Sequence, residues 1–445
     1  MTKKFALFFG DITTFYGALA VVLWIRYPHG FRASFDLHFL PFTTIFLLWL
    51  LVFYIFNLYE IGFAKNDARF FSNFIYAIAS SSLISVALFY LIPLYGITPK
   101  TNLAIFVGIY AALGLFWRYG FNKIVSKTST NNTLIIGNSE QAQEMYDFLL
   151  ANKQLGYNAL GIIDISQIQS SQLEEIIIKK NVKTLVLGPS TYKASRIIDT
   201  FYRLLGLGII FYNLSDFYER VTNKVPLGEI DQAWFLSNLT EGSKRGYEIF
   251  RRVFDIGFAV LLGIVSLLFY PLIILAIKLD SRGPIFFKQK RIGKAGKIFT
   301  LIKFRNMIAN SPDGSAEGGT GPIWADARDP RVTQVGGFLR RSRIDELPQL
   351  WNVLKGDMSF VGPRPERPEF HNKLKQEIPF YEERYLIKPG LTGWAQIKHR
   401  INGMSIKDTF EKLQYDLFYI KNRSILLDLT IILKTMGKLL LQEGK

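Results

Sequence analysis

The sequence predicts a multi-domain membrane protein: a four-helix transmembrane bundle over residues 1–127, an α/β Rossmann-like middle domain over 128–240, and a mainly helical domain over 241–445 that carries a re-entrant membrane helix. Three observations predict it. Four long apolar stretches open the chain, short β-branched runs alternate with helical stretches after them, and a fifth apolar stretch has basic residues at both ends and a proline inside. At 445 residues the chain exceeds one ordinary core. A net charge of +17 combined with 49% hydrophobic residues and 38 Phe points to a membrane, with anionic head groups or phosphorylated substrates as partners and nucleic acid as the competing reading. The absence of cysteine excludes disulfides, thiolate metal sites and thiol nucleophiles, and the scattered His29, His38, His371 and His399 show no ligand spacing.

The four stretches are Phe5–Ile25, Leu37–Leu58, Phe70–Leu94 and Leu103–Trp117. Each has about the length needed to cross a ~30 Å core at ~1.5 Å per residue. Lys3, Lys4, Lys65, Arg69, Arg118, Lys123 and Lys127 lie on one side, against Arg26, Arg32 and Lys100 on the other, which puts both ends of the bundle in the cytoplasm. Asp11 falls near the cytoplasmic end of the first span, where it reaches the interface in a structural role. From Thr128 the runs "TLIIG", "GIIDIS", "VKTLVLG" and "GIIFYNLS" predict a largely parallel sheet. The turn "GNSEQA" offers only Gly137 where a dinucleotide fingerprint needs three glycines, so the domain reads as degenerate, structural or regulatory.

The fifth stretch, Val253–Leu279, is basic on both flanks, and Pro271 removes a helical hydrogen bond within it. A plain span would put one basic flank outside, so the expectation is a helix that bends at Tyr270–Pro271 and returns. Beyond it, Lys288, Lys290, Arg291, Lys303 and Arg305 are interleaved with aromatics, and "KIFTLIKF" alternates as a strand. Residues 310–330, "NSPDGSAEGGTGPIWADARDP", read as a mobile loop. In "DELPQLWNVLKG", Pro348 suits a first helical turn, Asp345 reads as the N-cap and Gly356 as the stop. Capping does not account for Arg340, Arg341 and Arg343 just upstream, which together suit an anion. Downstream, Arg364 is held between Pro363 and Pro365 in a stiff loop.

The run from Lys244 to Lys438 resembles the bacterial polyprenol-phosphate hexose-1-phosphate transferases, the monotopic phosphoglycosyl transferases, through four ordered blocks: "KFRNM", "DELPQLWNVLKGDMSFVGPRP", "KPGLTGWAQI" and "YDLFYIKNRSILLDL". The resemblance implies Asp345 and Glu346 as the catalytic dyad and as ligands of Mg²⁺. It implies a substrate wall of Lys303, Arg305, Arg341, Pro363, Arg364, Pro365, Gln289 and Arg291. The reaction it implies is attack of Asp345 on a UDP-sugar, release of UMP, and transfer of the phosphosugar to polyprenyl (undecaprenyl) phosphate in the inner leaflet. The implied location is the bacterial inner membrane, catalytic domain in the cytoplasm. The family often breaks its membrane helix at Ser-Pro; here the pair is Tyr270–Pro271. Oligomeric state is left open, a homodimer being one option, and no nucleic acid partner is implied.

Two other functions compete. A membrane-anchored NAD-dependent sugar dehydratase or epimerase would need an intact glycine-rich turn and a Tyr-x-x-x-Lys pair beside it, and the pair Tyr119…Lys123 stands at the end of the fourth span instead. A non-enzymatic sensor using the α/β domain to bind a nucleotide is the other.

Overall fold

The structure is a computed structural model that describes residues 2–91, 100–128, 131–193, 195–239, 244–316, 329–399 and 405–441. The loop expected over 310–330 lies largely, at 317–328, outside the described residues. The chain divides into two compact units, Met1–Phe217 and Tyr218–Lys445.

In the first unit, α1 (Thr2–Arg26), α2 (Phe31–Ile55), α3 (Ala68–Leu91) and α4 (Lys100–Lys127) contain four segments long and apolar enough to cross a membrane. Their interior is aromatic: Phe15 packs edge-on against Trp49 and Phe106, with ring centroids 5.9 and 4.8 Å apart. Trp24, Leu47, Leu83 and Phe116 point outward, as lipid-facing residues do. Asp11 differs from expectation: instead of reaching the interface it is fully buried, ion-paired to Arg118 and bonded by Tyr59 Oη at 2.6 Å. Arg118 also donates to Leu58 O at 2.8 Å, so a cation assigned to the cytoplasmic flank is consumed inside the bundle.

Strands β1 (Asn131–Ile136), β2 (Tyr157–Ile163), β3 (Thr184–Leu187) and β4 (Ile210–Asn213) alternate with α5 (Glu140–Ala151), α6 (Ser170–Lys179) and α7 (Ser195–Leu204). All pairings are parallel, in the order β2-β1-β3-β4. This is the flavodoxin-type winding rather than the Rossmann order, with its reversal between β1 and β3. At that point Asn138 Nδ2 donates to Asp164 Oδ2 at 3.1 Å and Ser139 caps α5. At the opposite end of α5, Lys65 and Lys3 donate to Ala151 O (2.7 Å) and Gln154 O (3.0 Å), tying the sheet domain to the bundle within the unit.

Helix α8 (Leu214–Thr222) straddles the division, and α9 (Gln232–Asn238) follows it. Val225 and Leu227 join the core of the second unit, and Val225 N donates to Gln414 O at 3.1 Å. Next, α10 (Arg245–Leu267) and α11 (Tyr270–Asp280) meet at a 60° bend, with Pro271 in the first turn of α11. The polar residues of α10 face inward. Arg251 bonds Ser359 Oγ (2.9 Å) and Val361 O, and Asp255 accepts from Phe360 N at 3.0 Å. Arg252 donates to Val353 O and Leu354 O at 2.6 and 2.7 Å. Around the bend, Leu261, Ile264, Leu268, Phe269 and Leu272 are exposed, an inside-out pattern that water does not favour.

The remaining elements form one body. The hairpin β5 (Phe286–Ile292) and β6 (Ile298–Phe304) leads to α12 (Gln334–Arg341), a 3₁₀ turn over Ile344–Gln349, and α13 (Leu350–Lys355). Then come β7 (Ser359–Val361), α14 (Pro368–Glu377), β8 (Gly390–Thr392, parallel to β7), α15 (Trp394–Lys398), α16 (Ile406–Asn422) and α17 (Ile425–Leu440). Their core includes Leu301, Val353, Phe360, Tyr385, Trp394 and Leu417. Both ends of the bent helix pair are built into it: α10 as above, and α11 through Ile277, packed with Phe304 and Leu339, and Asp280, which accepts from Val335 N at 3.0 Å.

Candidate active site

The site grows from the strand β6 and the turn that follows α12. Arg343 takes a left-handed conformation (φ 58°), uncommon for a residue with a Cβ, and the chain reverses there into the 3₁₀ turn. Asp345 therefore does not cap a helix, as the sequence suggests. Its Oδ2 accepts from the Asn306 side-chain amide at 2.7 Å, whereas Oδ1 is buried with no hydrogen-bond partner among the described residues. The helix begins only at Leu350, and Gly356 ends it in the left-handed region (φ 92°), as expected.

Glu346 takes the arginines. Arg343 reaches its Oε1 at 3.0 Å, and both terminal nitrogens of Arg364 approach the same oxygen at 3.4 and 3.3 Å. The two carboxylates are thereby driven apart. Burial, and then the charge of Glu346, push Asp345 up to about 6. Burial also acts upward on Glu346, but Arg364 and Arg343 outweigh it and hold the group below its ordinary value. Lys303, whose ammonium lies 4.9 Å from the centre of the Phe287 ring, feels both carboxylates and is brought down to about 8, mainly by burial.

The Pro363–Arg364–Pro365 loop is fixed by its backbone. Gly390 N donates to Pro363 O (2.9 Å), Arg384 to Arg364 O (3.0 Å) and Arg291 to Pro365 O (3.0 Å). Arg384 is itself paired with Asp416 at 2.9 Å. A Cβ on Gly390 would lie 2.1 Å from Gly362 N, and one on Gly393 would lie 2.2 Å from Gly362 O. The glycines of "VGPRP" and "KPGLTGW" thus let two chain segments touch beneath the loop. Gln289 Oε1 accepts from Arg291 at 2.6 Å, so this pair braces the loop from β5. Burial lowers Arg291 to about 10.

Two expected substrate residues are placed differently. Arg305 follows the end of β6 and is 2% exposed, its guanidinium bonded to Ser281 O (2.7 Å) and Arg282 O. It caps the carbonyl end of α11, because the strand alternation that would align it with Lys303 stops at Phe304. Arg341 is exposed on the last turn of α12, and the guanidinium that reaches Glu346 is that of Arg343. Sequence reasoning missed Asn306, although it stands within "KFRNM". Tyr270 packs against Phe304 at 4.9 Å beside the bend.

Among the described residues no group of three acidic or histidine side chains gathers. The adjacent carboxylates of Asp345 and Glu346 nevertheless have the donor chemistry of Mg²⁺, which is commonly held by one or two carboxylates with substrate phosphates completing the shell. Chemically, the site offers an ionised carboxylate clamped by arginines beside a second one with a bare oxygen, under a cationic wall.

A family model for bacterial sugar transferases matches residues 246–442. A UDP-N-acetylgalactosamine-undecaprenyl-phosphate N-acetylgalactosaminephosphotransferase of Aeromonas hydrophila is 40% identical over 236 residues, 52% of this chain and 53% of that protein. An undecaprenyl-phosphate glucose phosphotransferase of Komagataeibacter xylinus is 32% identical over 314 residues, 68% and 58% of the two lengths. A UDP-galactose-lipid carrier transferase of Erwinia amylovora is 30% identical over 344 residues, 70% and 69%. The chain spans little more than half of the first two.

Proposed function

The chain belongs to the bacterial sugar transferases, and from that premise we propose that it transfers a sugar 1-phosphate from a UDP-sugar to polyprenyl (undecaprenyl) phosphate, through a phosphosugar covalently held on Asp345. The reaction begins polysaccharide or glycan assembly on the lipid. The observation that carries the reading is the bare, buried Asp345 Oδ1 beside a carboxylate already neutralised by two arginines.

Oδ1 attacks the β-phosphorus, the bond to the bridging oxygen breaks, and UMP departs. The lipid phosphate then attacks the same phosphorus and returns the electron pair to the Asp345 carboxylate. Division into two steps lets each anion meet the phosphorus separately. Lys303, Arg364 and Arg343 supply fixed positive charge where the phosphates sit, and the braced Pro363–Pro365 loop presents Arg364 with little left to order. Mg²⁺ held by Asp345 and Glu346 would neutralise part of the diphosphate charge.

The protein is membrane-bound, and its catalytic unit works at the cytoplasmic face of the bacterial inner membrane. The bent pair α10–α11 is re-entrant in this reading, supported by both of its ends being built into one body. From Asp255, the last inward-bonded charge of α10, to Leu267 is about 18 Å of helix, well short of a ~30 Å core. The dip holds the site at the plane where a soluble and a lipid substrate meet.

The test is UMP release from a panel of UDP-sugars by the full chain in membranes with undecaprenyl phosphate, together with mass spectrometry of the Asp345 peptide. Lipid-dependent turnover and a phosphosugar adduct on that peptide are expected. Turnover with the adduct elsewhere, or none with any UDP-sugar, sinks the reading.

A further inference from the structure

Asn306 is 5% exposed, and its amide holds one oxygen of Asp345 while the other has no partner among the described residues. A carboxylate has two equivalent oxygens and a broad terminal torsion, so nothing intrinsic selects which one faces a substrate. A single strong donor on Oδ2 removes that symmetry. The asparagine is itself held in place. Its carbonyl accepts from Thr333 N at 3.3 Å, and a Cβ on Gly336 would lie 2.0 Å from that oxygen, so α12 passes in direct contact. Arg305, one residue before, is bonded to the end of α11, and Met307, one residue after, bridges to Val332.

We propose that Asn306 is a positioning residue that fixes Asp345 so that Oδ1 alone attacks the sugar nucleotide. The proposal rests on Asp345 being the nucleophile. In the first step the Oδ1 lone pair forms the bond to phosphorus, and the electron pair of the broken P–O bond leaves with UMP. Oδ2 becomes the carbonyl oxygen of the acyl phosphate, still opposite the amide. In the second step an oxygen of the lipid phosphate takes the phosphorus and the Oδ1–P electrons return to the carboxylate. The amide gives and takes no proton in either step, so it holds its aim through both.

The test compares Asn306→Leu, which keeps volume without a donor, with Asn306→Ser and Asn306→Ala, which differ from each other by the hydroxyl alone. Each full-length variant is assayed in membranes with UDP-glucose, UDP-galactose and UDP-N-acetylgalactosamine plus undecaprenyl phosphate, after a thermal melt to count folded protein. Leu and Ala are expected to lower kcat about 10- to 100-fold with KM changed less than about 2-fold, as loss of one hydrogen bond to a charged group implies. Ser should recover part of the loss. Ser no better than Ala, or Leu at the wild-type kcat, makes Asn306 a packing residue and overturns the proposal; the Ser–Ala pair decides it should Leu not fold. Wild-type protein that releases no UMP from any of the three overturns the underlying reading and this proposal with it, whereas an active wild type with unimpaired variants removes only the role of Asn306.

Discussion

Asp11 and Asp345 are both buried aspartates with one oxygen unpartnered among the described residues, yet the chain surrounds them differently. Asp11 has a guanidinium in contact and a tyrosine hydroxyl on the same oxygen, so its charge is cancelled on the spot and three segments of the bundle are tied together. Among the described residues, the hydrogen bond to Asp345 comes from a neutral amide, while the arginines beside it pair with Glu346. Cancelled charge makes a structural tie; charge left over can be used on a substrate.

The sharpest test is the pair of isosteric replacements. Asp345→Asn should lower UMP release by at least about 1000-fold, as loss of a nucleophile does, at little cost in stability. Asp11→Asn should leave the chemistry of folded protein unchanged but destabilise the bundle by about 3–5 kcal/mol, because it leaves Arg118 buried and unpaired. Thermal melts and turnover per folded molecule separate the two, and equal effects on turnover would erase the contrast.

Arg364→Lys comes next. Its two nitrogens converge on Glu346, and an ammonium cannot reproduce that fork, so a loss of about 10- to 100-fold in kcat/KM is expected. Full activity of the lysine variant would reduce Arg364 to a general positive field.

A smaller effect is set by pH. Asp345 must be ionised to attack and Lys303 protonated to hold phosphate, so UMP release should rise with pH through about 6 and fall above about 8. Lys303→Arg should move the alkaline limb upward and leave the acid limb in place; an unmoved alkaline limb assigns it to another group.

Least of all should be the effect of Arg305→Met on KM for the sugar nucleotide. Its donors are spent on the carbonyls of Ser281 and Arg282, so the expected change is about 1–3 kcal/mol of stability, read by denaturant melts. A large rise in KM would return Arg305 to the substrate wall.

The sequence by itself determined the four long helices, because each apolar run is long enough to need lipid, and the alternation of strand and helix, because β-branched runs change the period from 3.6 to 2. Through the four ordered blocks and the resemblance they carry, it also singled out Asp345, Glu346, Lys303 and Arg364 as candidates, which local rules of capping and alternation alone do not. Only the tertiary structure decided direction. Whether Arg305 turns to substrate or to the end of α11 depends on β6 stopping one residue earlier, and whether Arg341 or Arg343 meets Glu346 depends on the left-handed turn at Arg343. The same holds for Asn306, whose contact with Asp345 joins residues 39 apart in sequence. Periodicity fixes which face a residue occupies within an element, but strand ends, turn handedness and contacts between distant segments are set by how the elements pack.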